Sequence, residues 1–257
     1  MRIEIKAELT ANFIVLLTGA CLTGWASEAK VEKTADENSN AVIARYHFEK
    51  VEDGMFADET GRYPLTIAGG AGKVSEGVVG NAAEFDGTWG AVSEKLKGFA
   101  CKDGFSVEAW LNFKNPHYTS VMNATSPNPT SDSFHIDIYA RLRKRALRFI
   151  QPMMNVLLAP APEFNEWVHV VCVYDSVSGM VKIFKNGELA AQEKASPGET
   201  LWFRGPFRVS PGGRQANFGF MGLIDELVLY SRALSGAEAK KRYNETCPKN
   251  HNTNTGK

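Results

Sequence analysis

From about Ala41 onward the chain reads as short runs of β-forming residues separated by clusters of Gly, Asn, Asp, Ser and Pro, with few stretches of helical period. That pattern predicts an all-β sandwich or barrel. The expected strands are Ala41 to Phe48, Ala82 to Phe85, Phe105 to Phe113, Ser133 to Tyr139, Ala146 to Gln151, Trp167 to Tyr174, Met180 to Lys185, Phe207 to Ser210 and Gly222 to Tyr230. Nine strands suit two packed antiparallel sheets. In the third of them Phe105, Val107, Ala109, Leu111 and Phe113 recur with period 2, so they share the face that turns to the inter-sheet core. Asn186-Gly187 lies between two apolar runs and predicts a tight hairpin turn, because both residues tolerate positive φ. One helix is expected from Ser235 to Tyr243, where Ser235 caps and Glu238 completes a capping box.

The ends read differently from the middle. Arg2 and Lys6 precede the apolar run from Phe13 to Leu22, and small residues follow around Ala26 and Ala29. This is the order of a secretory signal, expected over residues 1–26. The run is about half the roughly 20 residues that a membrane-spanning helix needs, and no later segment could span. Thr18-Gly19-Ala20-Cys21 resembles a lipobox with Thr in place of the usual aliphatic residue, which makes Cys21 the candidate for a lipid tether. Residues 27–40 are polar and aromatic-poor, a flexible tether; residues 41–247 form the domain; residues 248–257 are a polar tail expected to be disordered. The expected location is outside the cytoplasm: secreted, periplasmic or on the cell surface. Loss of the signal leaves Cys101, Cys172 and Cys247, an odd count that forbids complete internal pairing. Cys172, within a β-rich run, reads as a buried thiol, and a Cys101–Cys247 bridge stays open.

Twenty-nine basic residues balance twenty-nine acidic ones, so the chain lacks the long-range field expected of a nucleic-acid binder. Specificity must come from a local site. The five histidines, His47, His117, His135, His169 and His251, have no metal-ligand spacing, and no nucleophile elbow or phosphate loop occurs.

Several motifs follow one another in a fixed order. They are Tyr46-His47-Phe48 with Asp58-Glu59-Thr60-Gly61, Gly80-Asn81-Ala82-Ala83-Glu84-Phe85-Asp86-Gly87, and Phe105-Ser106-Val107-Glu108-Ala109-Trp110. Then come Trp167-Val168-His169-Val170-Val171, Lys185-Asn186-Gly187, Phe220-Met221-Gly222-Leu223-Ile224-Asp225-Glu226-Leu227 and Ser231-Arg232-Ala233-Leu234-Ser235. As a set, over about residues 42–243, they resemble the laminin-G-like jelly-roll domain of the concanavalin A-like lectin/glucanase superfamily. The stretches Pro116 to Pro129 and Gly198 to Gln215 have no counterpart and read as variable loops.

The resemblance implies a two-sheet antiparallel β-sandwich with one short C-terminal helix that binds carbohydrate or an extracellular protein. It also implies structural calcium, with Asp58 and Asp225 as oxygen ligands beside backbone carbonyls; read from the residues alone, the same two side chains cap a turn and a loop. Glucanases of the superfamily carry Glu-x-Asp-x-x-Glu, which this chain lacks, so binding is expected rather than catalysis. The alternatives are a carbohydrate-active enzyme that uses Glu108 and Asp137 as its carboxylate pair, or a structural scaffold domain.

From Phe134 to Arg141 the apolar residues point one way and His135, Asp137, Tyr139 and Arg141 the other. A neighbouring strand adds Arg148, and Trp110 could floor this face, which reads either as a sugar site or as the solvated side of a sheet. The loop with Trp202, Phe203, Arg204 and Arg214 is the second candidate. The basic cluster Arg141-Leu142-Arg143-Lys144-Arg145 reads as a hairpin tip or a contact for acidic glycans. Export makes the first checkable statement: intact mass of the secreted protein should show a chain that begins near residue 27, or one acylated at Cys21.

Overall fold

A computed structural model describes residues 41–114, 118–125, 133–141, 144–151, 155–211 and 219–247. The expected signal, lipid tether, flexible tether and polar tail lie outside the described residues. In chain order the strands are β1 (Val42–Tyr46), β2 (Met55–Phe56), β3 (Leu65–Ala68), β4 (Val74–Glu76), β5 (Asn81–Asp86) and β6 (Gly90–Ser93). They continue with β7 (Ala100–Cys101), β8 (Phe105–Phe113), β9 (Thr119–Asn123), β10 (His135–Arg141), β11 (Lys144–Ile150) and β12 (Val156–Pro160). The last are β13 (Trp167–Asp175), β14 (Met180–Lys185), β15 (Glu188–Lys194), β16 (Leu201–Trp202), β17 (Phe207–Val209) and β18 (Met221–Tyr230), followed by helix α1 (Gly236–Thr246).

Two eight-stranded antiparallel sheets result. Sheet A runs β15-β14-β13-β8-β18-β5-β4, with β1 also pairing β18, and sheet B runs β12-β11-β10-β9-β17-β6-β3-β2. β7 and β16 form a separate two-stranded ladder. The apolar stripe Phe105, Val107, Ala109, Leu111 and Phe113 enters the inter-sheet core as its period predicts. There Phe105 meets Phe134 at 4.6 Å, Phe113 meets Phe220 at 5.3 Å, and Phe85 stacks on Trp89 at 4.3 Å. Each ring so buried contributes about 1.5–3 kcal/mol by area alone, with aromatic geometry adding to it.

Turn chemistry holds the register. Asn186 and Gly187 adopt φ of 51° and 76°, the positive values a tight hairpin between β14 and β15 demands. The Asn186 carboxamide also accepts the His169 N–H at 2.9 Å, tying the turn to β13. At Gly222, φ is 149° and a Cβ would collide with the backbone oxygen of Asn112, so glycine lets β18 close on β8. The capping box of α1 forms as expected: the Ser235 hydroxyl accepts from Glu238 N–H, and the Glu238 carboxylate accepts from Ser235 N–H at 2.7 Å.

The outer face of sheet A departs from the half-exposed face that alternation predicts. Every residue of β8 is buried, because α1 packs a second apolar cluster of Val171, Val173, Phe184, Val228, Tyr230, Leu234 and Ala239 over it. Under the helix Glu108, 1% exposed, accepts from Tyr230 Oη at 2.7 Å and Arg242 Nε at 3.1 Å, and meets His169 Nε2 at 3.1 Å. Burial is the largest influence on this carboxyl and pushes its pKa up, but the donors of His169, Arg242 and Tyr230 together outweigh it and hold the group below the usual range.

Half of the strands escaped the sequence reading. β15 is polar and exposed along most of its length; the hairpin turn, rather than its own propensity, makes it a strand. β9 falls in a stretch without motif support, and β12 ends in Pro160, as an edge strand can. A Cys101–Cys247 bridge does not form: Cys101 is buried in the inter-sheet core, whereas Cys247 follows α1 on the outer side of sheet A. Cys172 is the buried thiol expected. Among the described residues no helix is long and apolar enough to cross a membrane.

Removing one partner of a buried ion pair leaves the other charge uncompensated, so Glu108→Ala should cost about 3–5 kcal/mol in urea unfolding. Lys50→Ala, which breaks only the exposed Lys50–Glu52 pair, should cost at most about 1 kcal/mol.

Candidate functional site

With α1 covering much of sheet A, the outer face of sheet B is where side chains of opposite chemistry gather. Period 2 along β10 sends Ile136 and Ile138 into the core and His135, Asp137 and Tyr139 outward. Antiparallel register then sets Arg148 of β11 and Ser120 of β9 opposite Asp137 on its two sides. The Arg148 guanidinium grips Asp137 with both arms, Nε to Oδ1 at 2.8 Å and Nη2 to Oδ2 at 2.6 Å, a charge-assisted fork. Tyr118 Oη donates to Asp137 Oδ2 at 3.2 Å, and Ser120 Oγ lies 2.7 Å from His135 Nε2. The guanidinium carbon stands 4.9 Å from the Tyr139 ring centroid and 5.9 Å from that of Tyr118, so the cation is within cation–π range of two aromatic rings.

The electrostatics follow from this packing. Burial lowers the pKa of His135, which keeps the imidazole neutral at pH 7. Burial and then the Asp137 charge raise Tyr118, while the hydrogen bonds to Asp137 raise Arg148. Asp137, 0% exposed, is therefore an orienting group for Arg148 rather than an open carboxylate. The face offers fixed donors, a neutral imidazole and two phenol rings, and apolar Leu158 extends it beside Arg148.

Other candidates are placed elsewhere. Trp110 does not floor this face: it is on the outer side of sheet A under α1, with its Nε1 donating to Thr246 Oγ1 at 2.8 Å and its ring 5.7 Å from Tyr243. Glu108 and Asp137 cannot act as a catalytic pair, since they point out of opposite sheets with the core between and each is held by an arginine. Arg141 ends β10 opposite Lys144. In the basic cluster Leu142 and Arg143 lie outside the described residues, and the Arg145 guanidinium sits 3.9 Å over the Phe164 ring. Trp202, 36% exposed, carries Arg204 at 5.2 Å from its ring, but Phe203 is buried in the core and is not the exposed aromatic expected. Arg214 lies outside the described residues.

Asp58 and Asp225, the two carboxylates named for calcium, are both engaged by backbone donors. The Asp58 carboxylate accepts from the N–H groups of Arg45, Thr60, Arg62 and Tyr63 and from the Thr60 hydroxyl, which fills the roughly four lone-pair positions it has. Asp225 accepts from the N–H groups of Val78, Val79 and Glu226. Both are loop caps, and among the described residues no group of three or more His, Cys, Asp or Glu side chains converges.

The sequence reading missed Tyr118, which lies just before β9, and Ser120, the second residue of that strand, which it did not assign. Only the β-forming composition of Thr119-Ser120-Val121-Met122 signalled them.

A laminin-G-type family model, described as the concanavalin A-like lectin/glucanases superfamily, matches residues 85–240. No curated protein matches the sequence. Among solved structures, domain 4 of AbnA, a GH43 extracellular arabinanase from Geobacillus stearothermophilus in complex with arabinotriose, aligns with a TM-score of 0.56 at 22% identity, covering 78% of this chain and 97% of that one. The binding domain of Paraclostridial Mosquitocidal Protein 1 aligns at 0.60 and 12% identity over 80% of this chain and 52% of its own. A Trypanosoma rangeli sialidase aligns at 0.59 and 13% over 79% and 32%. This chain thus spans about half of the toxin domain and a third of the sialidase. At these identities the likeness is one of fold.

Burial, the main cause, pushes the Asp225 carboxyl up to about 6 from 3.8. A pKa raised by folding gives stability that is full below the unfolded value and lost as pH rises through the folded one. Carboxyl-carbon NMR should thus place the Asp225 midpoint near 6, with its stabilising share lost between 3.8 and about 6; a midpoint at 3.8 would contradict this.

Proposed function

The chain belongs to the concanavalin A-like lectin/glucanases superfamily, and from that premise we propose that it is an exported carbohydrate-binding module whose site is the outer face of sheet B around Asp137 and Arg148. The observation that carries this reading is the Arg148 fork, locked on Asp137 and within reach of the rings of Tyr118 and Tyr139. Sugars are bound by aromatic surfaces together with a few hydrogen-bonding groups in fixed positions. A guanidinium already oriented by a buried carboxylate loses little further entropy when a hydroxyl docks on its free edge.

The structural relatives support the same class. One was solved in complex with arabinotriose, and another is the binding domain of a toxin. The module does no chemistry on its ligand in this reading: Asp137 is neutralised by Arg148, and Glu108 is sealed under α1. Export rests on the N-terminal charge and apolar pattern, with Cys21 as the lipid tether if the lipobox is used.

A broad glycan array with the purified mature domain tests the reading. Retention of a glycan class is expected, unchanged by chelator, and Arg148→Gln should weaken it by about tenfold or more, the loss of a charge-assisted bond. Because the buried Asp137 then loses its partner, the melting midpoint should fall, and a retained cooperative transition above the assay temperature is the fold control. A blank array would move the role to a protein partner, with the Trp202–Arg204 pair as its first candidate surface.

A further inference from the structure

The outer face of sheet B continues past His135. Register places Thr66, Val92, Arg208, Asn123 and His135 side by side on β3, β6, β17, β9 and β10. Neighbouring strands lie about 4.8 Å apart, so Arg208 stands about 10 Å from His135 along this line. Phe207 and Val209 enter the core, which turns Arg208 outward between them.

Two groups on this line are incomplete. Among the described residues, the buried Asn123 Oδ1 accepts no hydrogen bond, a deficit that usually costs about 1–3 kcal/mol unless a partner arrives. Arg208 makes no ion pair among the described residues; its Nη1 reaches only the carbonyls of Thr125 and Pro206, both at 3.4 Å, long for such a bond. Arg148, by contrast, has its charge paired with Asp137. Beside Arg208 opens a hollow of about 310 Å³ that Ala68, Trp89, Glu94 and Pro211 also line.

An acceptor without a donor next to a cation without an anion calls for a ligand that carries both a hydroxyl and a negative charge. We infer that the ligand of this face is an acidic sugar, its carboxylate on the Arg208 guanidinium at the hollow and a neighbouring hydroxyl on Asn123 Oδ1, with the rest of the saccharide running toward His135 and Arg148. The inference rests on the proposed carbohydrate site and extends it by a charge class. Arg148 supplies no net charge because Asp137 cancels it, so among the described residues of this line Arg208 is the cation that selects the anion. Glu94, on the same hollow, opposes it and disfavours densely charged chains.

Calorimetric titration of the full chain with two matched pairs separates the outcomes: trigalacturonate against its neutral methyl ester, and sialyllactose against lactose. The acidic member of at least one pair is expected to bind about tenfold tighter, as a charge-assisted fork allows, and which pair shows it distinguishes a uronate from a sialate. The preference should shrink with added salt. Arg208→Gln should abolish it while leaving the neutral member's affinity in place, Arg208→Lys should restore only part of it, and Glu94→Gln should sharpen it. Melting midpoints of the variants equal to that of the parent confirm folding. Equal binding of acidic and neutral members would overturn the inference and leave the carbohydrate site standing, as would failure of all four where the array retains a neutral glycan. Failure of all four together with a blank array overturns both.

Discussion

The buried carboxylate of Glu108 is the constraint on which the division of labour between the two sheets depends. A charge under a helix is tolerated only when it is paired and hydrogen-bonded, and His169, Tyr230 and Arg242 meet that demand from β13, β18 and α1. The pairing anchors α1 to sheet A, and α1 in turn shelters Trp110 and the second apolar cluster. Sheet A becomes a two-sided scaffold. Sheet B, without a covering helix among the described residues, is left to present side chains.

What sheet B presents follows from register. Tyr118, Ser120, Asp137 and Arg148 come from three successive strands or their ends and Arg208 from much farther along the chain, yet β9, β10, β11 and β17 are neighbours in sheet B and bring them onto one surface. Asp137 organises the near part by holding Arg148 from below. The far part, at Arg208 and Asn123, has no such internal partner among the described residues. The contrast is between an arginine used to shape the site and one left with its charge unspent.

The four carboxylates singled out from the sequence end in different circumstances. Glu108 and Asp137 are each gripped by arginine on opposite sides of the molecule, and Asp58 and Asp225 are each capped by backbone N–H groups. In Asp58 the donors win over burial and the pKa falls; in Asp225 burial wins and it rises to about 6. Asp58 has more donors, while Asp225 has deeper burial and the neighbouring Glu226 charge, and together these set the opposite signs.

By itself the sequence determined the β-sandwich, the inward stripe of β8, the Asn186-Gly187 turn, the α1 capping box and the outward set His135, Asp137 and Tyr139, because these depend on period and on residues a few positions apart. It also carried the ordered motifs that mark the superfamily. It could not decide which outward face stays free: Trp110 and Arg148 both point away from the core, and only the docking of α1 covers the first and leaves the second. Nor could it show that Asp58 and Asp225 are each capped by backbone donors, that Cys101 and Cys247 lie on different sides of sheet A, or that Arg208 stands beside Asn123. Those outcomes are set by strand register and helix docking between segments remote in the chain, which local pattern does not encode.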